Sequence, residues 1–305
     1  MIPYFCAHCD TALPVYKQGK DLYENDLHLD LKRLGAYAPC AQVFAICVDH
    51  SADMTDDTMR TMFHLLQELY ANRACVQPCR SSVDITDAVC CGKIAALISV
   101  EGAERLDCSI EKLREAFELG LRIVHITWND DNVLCGSCNG SGAGLSEQGR
   151  AFVKAAQALG VVLDMSHISE AGFWDTLEIA EKPVLAGHSD AMAVQKASRN
   201  LTDAQFEALV KTGGVAGLNF YPEFLGGTRD IDAILAHAEH FLSLGGEKSL
   251  CLGTDFDGIE TTPVGIRGVQ DMENLYNAML RKNWSEQLVQ DIFWNNLFQF
   301  FTKVI

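Results

Sequence analysis

Residues that can bind metal ions stand at or just beyond the ends of separate apolar runs in this chain. They are His8, Asp10, Glu101, His167, His188 and Asp255. Imidazole nitrogens and carboxylate oxygens delivered by different strand ends are the ligands that a carboxylate-bridged pair of metal ions needs. The pattern predicts a metallohydrolase.

The spacing of the first three residues suggests how they would bind. His8 and Asp10 are two residues apart, so both side chains leave the same face of an extended segment and can reach one ion. A helix cap is the alternative role for Asp10. Glu101 ends the run AALISVE, and a carboxylate that leaves a buried strand needs a cation. A bridging position between two ions would supply one, and a salt bridge to Arg105 is the alternative.

The two later histidines follow the strand-like runs VVLDMS and PVLAG. Neutral imidazoles of His167 and His188 on neighbouring strands suit a second divalent ion, with Asp164 or Ser166 as supporting groups. The acid in LGTDFDG that we expect to face the ions as a proton carrier is Asp255, because Asp257 already opens the following loop.

Apolar, β-branched runs alternate along the chain with amphipathic helical segments. The eight predicted strands are Ile2 to Ala7, Gln42 to Val48, Ile94 to Val100, Arg122 to Thr127, Val161 to Ser166, Pro183 to Ala186, Gly214 to Leu218 and Ser249 to Gly253. Predicted helices include Ser146 to Leu159 and a last helix, Glu286 to Phe301, capped by Ser285. Thr202 and Gln205 form a capping-box signature for another helix.

This alternation favours a (β/α)8 TIM barrel over a doubly wound sheet. A doubly wound sheet usually has a Gly-rich turn after its first strand, whereas this chain has His-Cys-Asp there. In a barrel, the carboxyl ends of all strands meet at one mouth. The polar residues at predicted strand ends are His8, Glu101, His125, His167, His188, Asn219 and Asp255.

The composition of the chain bears on its domain number, its partners and its location. The 305 residues are 48% hydrophobic and contain no linker-like tract, so we expect a single domain over residues 1–305. The net charge of −17 would repel phosphate backbones and anionic lipids, so we expect neither nucleic acid nor membrane partners. The first residues have no signal-peptide pattern, so we expect a cytoplasmic protein whose twelve cysteines are mainly reduced.

Several motifs occur in the order found in a known family. They are AHCDTALP, LISVEGAERL, ITWNDDN, GLSEQGRAFVKAAQALGVVLDMSHIS, AGHSDA, SRNLTD, GGVAGLNFYPEFL and LGTDFDG. With these motifs the chain resembles the membrane (renal) dipeptidase family of the amidohydrolase superfamily, from about residue 2 to the C-terminus. The resemblance implies a zinc peptidase.

The resemblance also implies roles for individual residues. In the metal site, His8 and Asp10 would hold one zinc ion, His167 and His188 would hold the other, and Glu101 would bridge them. Around the substrate, His125 would polarise the scissile carbonyl, Arg199 would bind the substrate carboxylate, Asp255 would be the acid/base residue and Tyr221 would line the pocket. Manganese or cobalt could substitute for zinc.

The implied reaction is hydrolysis of dipeptides by metal-activated hydroxide, including dipeptides with a D-residue at the C-terminal position. The resemblance also implies a homodimer. One alternative is another amidohydrolase reaction, such as cyclic amide hydrolysis, although those relatives typically begin with His-x-His. The other is a non-catalytic barrel, which would need none of the residues His125, Arg199 and Asp255.

Some features depart from the pattern or only imitate a site. Cys6 stands where family members usually have an acidic residue, and this change could weaken metal binding or alter the preferred ion. Cys135 and Cys138 have redox or zinc spacing, but they lie in a Gly-rich loop without a second cysteine pair. No apolar strand leads into His28 and Asp30, so we reject them as a metal pair.

Overall fold

A closed parallel barrel forms the centre of the computed structural model, which describes residues 1–305. The strands are β1 (Tyr4–Cys6), β2 (Cys40–Ile46), β3 (Val76–Pro78), β4 (Ile94–Val100), β5 (Leu121–His125), β6 (Val162–Asp164), β7 (Leu185–Ala186), β8 (Val215–Leu218) and β9 (Leu250–Leu252). Pairing runs from β1 through β2, β4, β5, β6, β7 and β8 to β9, which pairs again with β1, and every pair is parallel.

The remaining strand, β3, does not take part in this closure. It pairs with the first half of β4, with Val76 opposite Ile94, while β5 pairs with the second half, from Ile98 onward. β3 therefore lies between β4 and β5 at the amino-terminal end of these strands.

Helices follow most of the strands and surround the barrel. They are α1 (Ala12–Gln18), α2 (Leu31–Leu34), α3 (Met54–Ala71), α4 (Ser82–Cys90), α5 (Ile110–Leu119), α6 (Glu147–Leu159), α7 (Glu170–Ile179), α8 (Asp203–Thr212), α9 (Pro222–Leu225), α10 (Ile231–Ser243), α11 (Met272–Arg281), α12 (Glu286–Gln290) and α13 (Asn296–Val304). Short 3₁₀ turns cover Ala103–Leu106, Gly246–Lys248 and Val269–Asp271, and a π-helical turn covers Asp291–Asn295. None of the helices has both the length and the apolar character that crossing a bilayer requires.

Side chains that accept hydrogen bonds from backbone N–H groups fix where several helices begin. Ser146 accepts from Gly149 N before α6, and Ser285 accepts from Leu288 N before α12. Thr202 and Gln205 form both halves of a capping box at α8. These caps satisfy N–H groups that have no partner within the helix.

Apolar side chains seal one end of the barrel. A buried cluster of 19 residues includes inward-facing strand residues such as Phe5, Leu97 and Ile123, together with Leu297 and Phe300 of α13. A larger cluster of 70 buried residues fills the space between the strands and the surrounding helices. The opposite end, where the carboxyl ends of the strands lie, is the one that carries polar side chains.

The predicted (β/α)8 barrel is confirmed, and each of the eight predicted strands overlaps one barrel strand. Two details differ from the prediction. β3, which is only three residues long, is not among the predicted strands. The predicted last helix, Glu286 to Phe301, is interrupted by the π-helical turn and extends to Val304.

Candidate active site

Glu101 lies at the centre of a polar cluster at the barrel mouth. The members of this cluster are His8, Asp10, Glu101, His125, His167, His188 and Asp255. Glu101 follows β4 directly and is 3% exposed. Its Oε1 lies 2.7 Å from His167 Nε2 and 3.3 Å from His188 Nε2, while its Oε2 lies 3.7 Å from His8 Nε2. One carboxylate therefore touches imidazoles that follow three other strands.

His8 joins this carboxylate to two further acids. Its Nε2 lies 3.1 Å from Asp10 Oδ2 and 3.6 Å from Asp255 Oδ1. Its ring also stacks on that of His188, with 3.8 Å between the centroids. The residues that follow β1, β4, β7 and β9 are thus in direct contact, although they are far apart in the sequence.

Burial and neighbouring charges shift the pKa values of the histidines in this cluster in opposite directions. Burial lowers the pKa of His8, but the carboxylates of Glu101 and Asp10 outweigh it and raise the pKa to about 10. Burial, reinforced by the charge of Arg199, lowers the pKa of His167 to about 3. Burial also holds the pKa of His188 well below its usual range. Burial therefore favours the neutral form of His167 and His188, the form that can bind a metal ion, whereas the neighbouring carboxylates favour the charged form of His8.

The donor set fits metal ions. Three groups of residues bring their ligand atoms within 4.8 Å of one another, and they are His8, Asp10 and Glu101; Glu101, His125 and His188; and His8, His188 and Asp255. The Nε2 atoms of His167 and His188 lie 3.1 Å apart. Neutral imidazole nitrogens that converge on carboxylates form a site for divalent ions such as zinc.

His125 ends β5 at the floor of the cluster. Neither ring nitrogen has a hydrogen-bond partner, although Nε2 lies 3.4 Å from Asp164 Oδ2 and Nδ1 lies 3.9 Å from Glu101 Oε1. Burial lowers the pKa of His125 and thereby favours the neutral ring. A buried neutral imidazole with unused polar atoms can bind a ligand atom at this position.

A second layer of hydrogen bonds holds the loops that carry the histidines. Asp164 Oδ1 accepts from Ser166 N at 2.9 Å and from Gly187 N at 3.0 Å. Ser166 Oγ in turn accepts from His188 N at 3.1 Å. Asp164 and Ser166 therefore link the ends of β6 and β7, consistent with the supporting role suggested for them.

A cavity of about 450 Å³ opens above the cluster. Its walls include Glu101, Asp255, Arg199 and Tyr221, and further lining comes from Trp128, Asn129, Phe224, Leu13, Ile259 and Glu260. Arg199 is 5% exposed; its Nη1 donates to Ser166 O and its Nη2 lies 3.0 Å from His167 Nε2. A guanidinium group thus stands beside the histidine cluster at the wall of the cavity.

The structure also decides several alternatives. Arg105 pairs with Glu104 at 3.0 Å and donates to Val48 O, so Glu101 does not form the alternative salt bridge. Thr11, not Asp10, precedes α1, and the Asp10 carboxylate turns to His8.

The His28 and Asp30 side chains are engaged separately. Asp30 caps α2 and pairs with Arg33, whereas His28 Nδ1 accepts from Asp257 N at 3.0 Å. This arrangement agrees with rejecting His28 and Asp30 as a metal pair.

The cysteines lie outside the groups that could hold an ion. All twelve are free. The sulfur of Cys6 accepts from Thr254 N at 3.3 Å and lies 3.4 Å from Thr254 Oγ1. Neither Cys6 nor the pair Cys135 and Cys138 belongs to any of the metal-competent groups.

Two contributors to the site are not among the predicted site residues. The sequence marks Asn219 only as a polar residue at a strand end, yet its Nδ2 donates to Asp255 Oδ2 at 3.0 Å. Asp190 is fully buried and accepts from Asn219 N at 3.2 Å. The only signal for Asp190 was its position two residues after His188.

Sequence relatives share most of the chain. It is 32% identical over 254 residues to an uncharacterized protein of Klebsiella pneumoniae encoded in the pqqA 5′ region, covering 79% of this chain and 93% of that protein. It is 31% identical over 222 residues to an uncharacterized dipeptidase of Schizosaccharomyces pombe, covering 70% of this chain and 53% of the yeast protein. The chain thus spans about half the length of the yeast relative.

Solved structures match the whole fold. A metallo peptidase from Rhodobacter sphaeroides, liganded with a phosphinate mimic of the dipeptide L-Ala-D-Ala, superposes with a TM-score of 0.91 at 28% identity and covers 100% of this chain and 99% of that chain. The dipeptidase AC, also a metallo peptidase, superposes with a TM-score of 0.92 at 29% identity and covers 99% and 98% of the two chains.

Fold and site together define a metal-dependent hydrolase on a closed (β/α)8 barrel. The sequence matches the family described as Membrane dipeptidase (Peptidase family M19) over residues 1–305. The chain belongs to this family and is a metallo-dipeptidase, which confirms the resemblance carried by its motifs.

Proposed function

We propose that this chain is a binuclear zinc dipeptidase that also accepts a D-residue at the C-terminal position. The convergence of His8, His167 and His188 on the carboxylate of Glu101, with Asp10 held against His8, carries this proposal. His8 and Asp10 would hold one ion, His167 and His188 the other, and Glu101 would bridge them. Manganese or cobalt could substitute, because the donor set is nitrogen and oxygen.

Two bound zinc ions would lower the pKa of a water molecule toward about 7 and polarise the scissile carbonyl. The protein would supply the remaining steps. His125, with both ring nitrogens free, would donate an N–H to the carbonyl oxygen as negative charge develops there. Asp255, whose Oδ1 faces the cluster, would accept the proton of the attacking water and pass it to the departing amine.

Arg199 would select substrates by their free carboxylate. A guanidinium binds a carboxylate through two parallel hydrogen bonds, and burial in the cavity wall strengthens that contact. Tyr221 and Phe224 line the same cavity and offer apolar surface for side chains. A carboxylate held one residue beyond the scissile bond restricts the substrate to dipeptides. The Rhodobacter sphaeroides neighbour, which carries a mimic of L-Ala-D-Ala, supports the acceptance of a D-residue.

A substrate panel tests this proposal. The zinc-loaded protein is assayed with L,L- and L,D-dipeptides and with N-acetylated, C-amidated and tripeptide analogues. Cleavage of free dipeptides, with loss of activity on C-amidated ones, is expected. Equal rates on C-amidated peptides or tripeptides, or no cleavage of any dipeptide, would contradict the proposal.

Arg199→Lys sharpens the panel because it keeps the positive charge but loses the two-point contact. It should raise KM for dipeptides and leave the metal content unchanged. The matched control is Arg229→Lys, since Arg229 is exposed and pairs with Glu223 outside the cavity. An unchanged KM in Arg199→Lys would remove Arg199 from carboxylate recognition.

A further inference from the structure

Asn219 makes hydrogen bonds through both atoms of its amide at the barrel mouth. It follows β8 directly and is fully buried. Its Nδ2 donates to Asp255 Oδ2 at 3.0 Å and to His188 O at 3.3 Å, and its Oδ1 accepts from Tyr221 N at 2.6 Å. The residue therefore touches the proposed acid/base group, the loop of a proposed metal ligand and the loop that carries Tyr221.

These partners permit only one orientation of the amide. A flipped Asn219 would place its carbonyl oxygen against the Asp255 carboxylate and the His188 carbonyl, and its NH₂ group against the Tyr221 N–H. Each of those contacts would pair like with like. The two donors are thus committed to oxygen acceptors, one of which is Asp255.

The contact with Asn219 leaves the two carboxylate oxygens of Asp255 in different surroundings. Oδ2 receives the amide hydrogen bond, while Oδ1 lies 3.6 Å from His8 Nε2. The backbone of Asp255 has φ of 57°, in the left-handed region that few residues other than glycine adopt. An uncommon backbone conformation and a side-chain hydrogen bond together direct this carboxylate at the cluster.

Asp190 anchors Asn219 from the neighbouring loop. Its Oδ1 accepts from Asn219 N at 3.2 Å, and its own carbonyl accepts from Leu201 N at 2.7 Å. Its side chain is fully buried, and its second oxygen, Oδ2, has no partner. The backbone of Asn219 is thereby held as firmly as its amide.

We propose that Asn219 is a positioning residue for Asp255, fixing the rotation of that carboxylate so that Oδ1 faces the reacting groups. The inference rests on the proposed acid/base role of Asp255. A purely structural alternative is that Asn219 serves only to hold the Tyr221 loop through its Oδ1.

Two variants separate these roles. Asn219→Asp keeps an acceptor for Tyr221 N but removes both donors, at almost unchanged size. The new carboxylate offers Asp255 no N–H donor, so the hydrogen bond that holds Asp255 Oδ2 in its orientation is lost. Asn219→Leu removes all three side-chain hydrogen bonds at similar volume and keeps the backbone bond to Asp190. We expect both variants to lower kcat by roughly 10- to 100-fold, with KM within about twofold and full metal content.

A matched control comes from the closed end of the barrel. Asn296 is also buried, and its Nδ2 donates to Glu247 O and Leu250 O, both at 2.8 Å. Asn296→Asp should lower the melting temperature and leave kcat unchanged. If Asn219→Asp retained wild-type kcat while only Asn219→Leu was impaired, the structural alternative would be correct and the inference wrong.

A double-mutant cycle decides whether the effect passes through Asp255. In the Asp255→Asn background, adding Asn219→Asp should change kcat by less than about twofold, because the carboxylate being positioned is already gone. The same fold-loss in both backgrounds would overturn the inference. A near-native kcat in Asp255→Asn alone would instead show that the proposed role of Asp255 is wrong.

Discussion

Replacing Glu101 with Gln probes the residue on which the cluster converges. The substitution keeps the shape of the side chain and removes one negative charge. Glu101 Oε2 lies 3.7 Å from Nε2 of His8, a proposed ligand, so an ion held by His8 would lie beside the carboxylate. A unit charge pair about 4 Å apart attracts by about 4 kcal/mol at an effective dielectric constant of about 20. Replacing the carboxylate with an amide would remove at least this much attraction to a divalent ion bound to it.

A loss of about 4 kcal/mol corresponds to roughly a thousandfold weaker binding. Glu101→Gln should therefore lose zinc in chelator-buffered solution and lower kcat/KM by a similar factor. Unfolding provides a second readout. Zinc at a hundredfold excess over Kd should stabilise the wild-type protein by about 2.7 kcal/mol and the variant by far less.

The matched control is Glu104→Gln. Glu104 lies three residues further along the same loop and binds Arg105 and Asn132 rather than the cluster. This variant should keep its zinc and its activity. A Glu101→Gln variant that retains both ions and near-native turnover, or that behaves like Glu104→Gln, would show that Glu101 does not hold the ions.

Three further changes test other parts of the site and fold. Gly258→Ala should lower kcat/KM without loss of folding, because the new Cβ would lie 2.1 Å from Asp10 Oδ2 and 2.7 Å from Asp255 Oδ1, and unchanged kinetics would refute this. Asp255→Asn should retain zinc and lose rate, so loss of zinc in elemental analysis would make Asp255 chiefly a ligand. Burial lowers the pKa of His237, whose neutral ring accepts from Ala191 N and donates to Leu225 O. As the pH falls, this imidazole is therefore protonated in the unfolded chain before it is protonated in the folded protein. The free energy of unfolding should therefore fall below about pH 6.5, by at most about 1.4 kcal/mol per pH unit from this group. Urea titrations should show a shallower pH dependence for His237→Gln, and an identical slope would contradict the assignment.

The barrel could be predicted because most of its strands are recognisable from their own local sequence. Runs such as Ile94–Val100 are buried along their whole length and therefore read as continuous apolar stretches. β3 could not be predicted, because Val76–Pro78 is short and is specified by its pairing with β4 rather than by its own residues. The π-helical turn at Asp291–Asn295 could not be predicted, because its apolar residues continue the helical pattern on either side.

Part of the candidate site could be predicted, namely the residues that directly follow apolar strands. His8, Glu101 and His188 follow apolar runs, and barrel topology alone requires such residues to meet. The contact between Asn219 and Asp255 could not be predicted, because it depends on the rotation of two side chains 36 positions apart. The bond from Asp190 to Asn219 is of the same kind, since no spacing rule links those positions.

Zinc-edge anomalous diffraction from crystals of the zinc-loaded protein tests the central claim most directly. Two peaks on either side of the Glu101 carboxylate are expected, one against His8 and Asp10 and the other against His167 and His188. A single peak, no peak at the barrel mouth, or zinc bound only at Cys135 and Cys138 would contradict a binuclear site built from these residues.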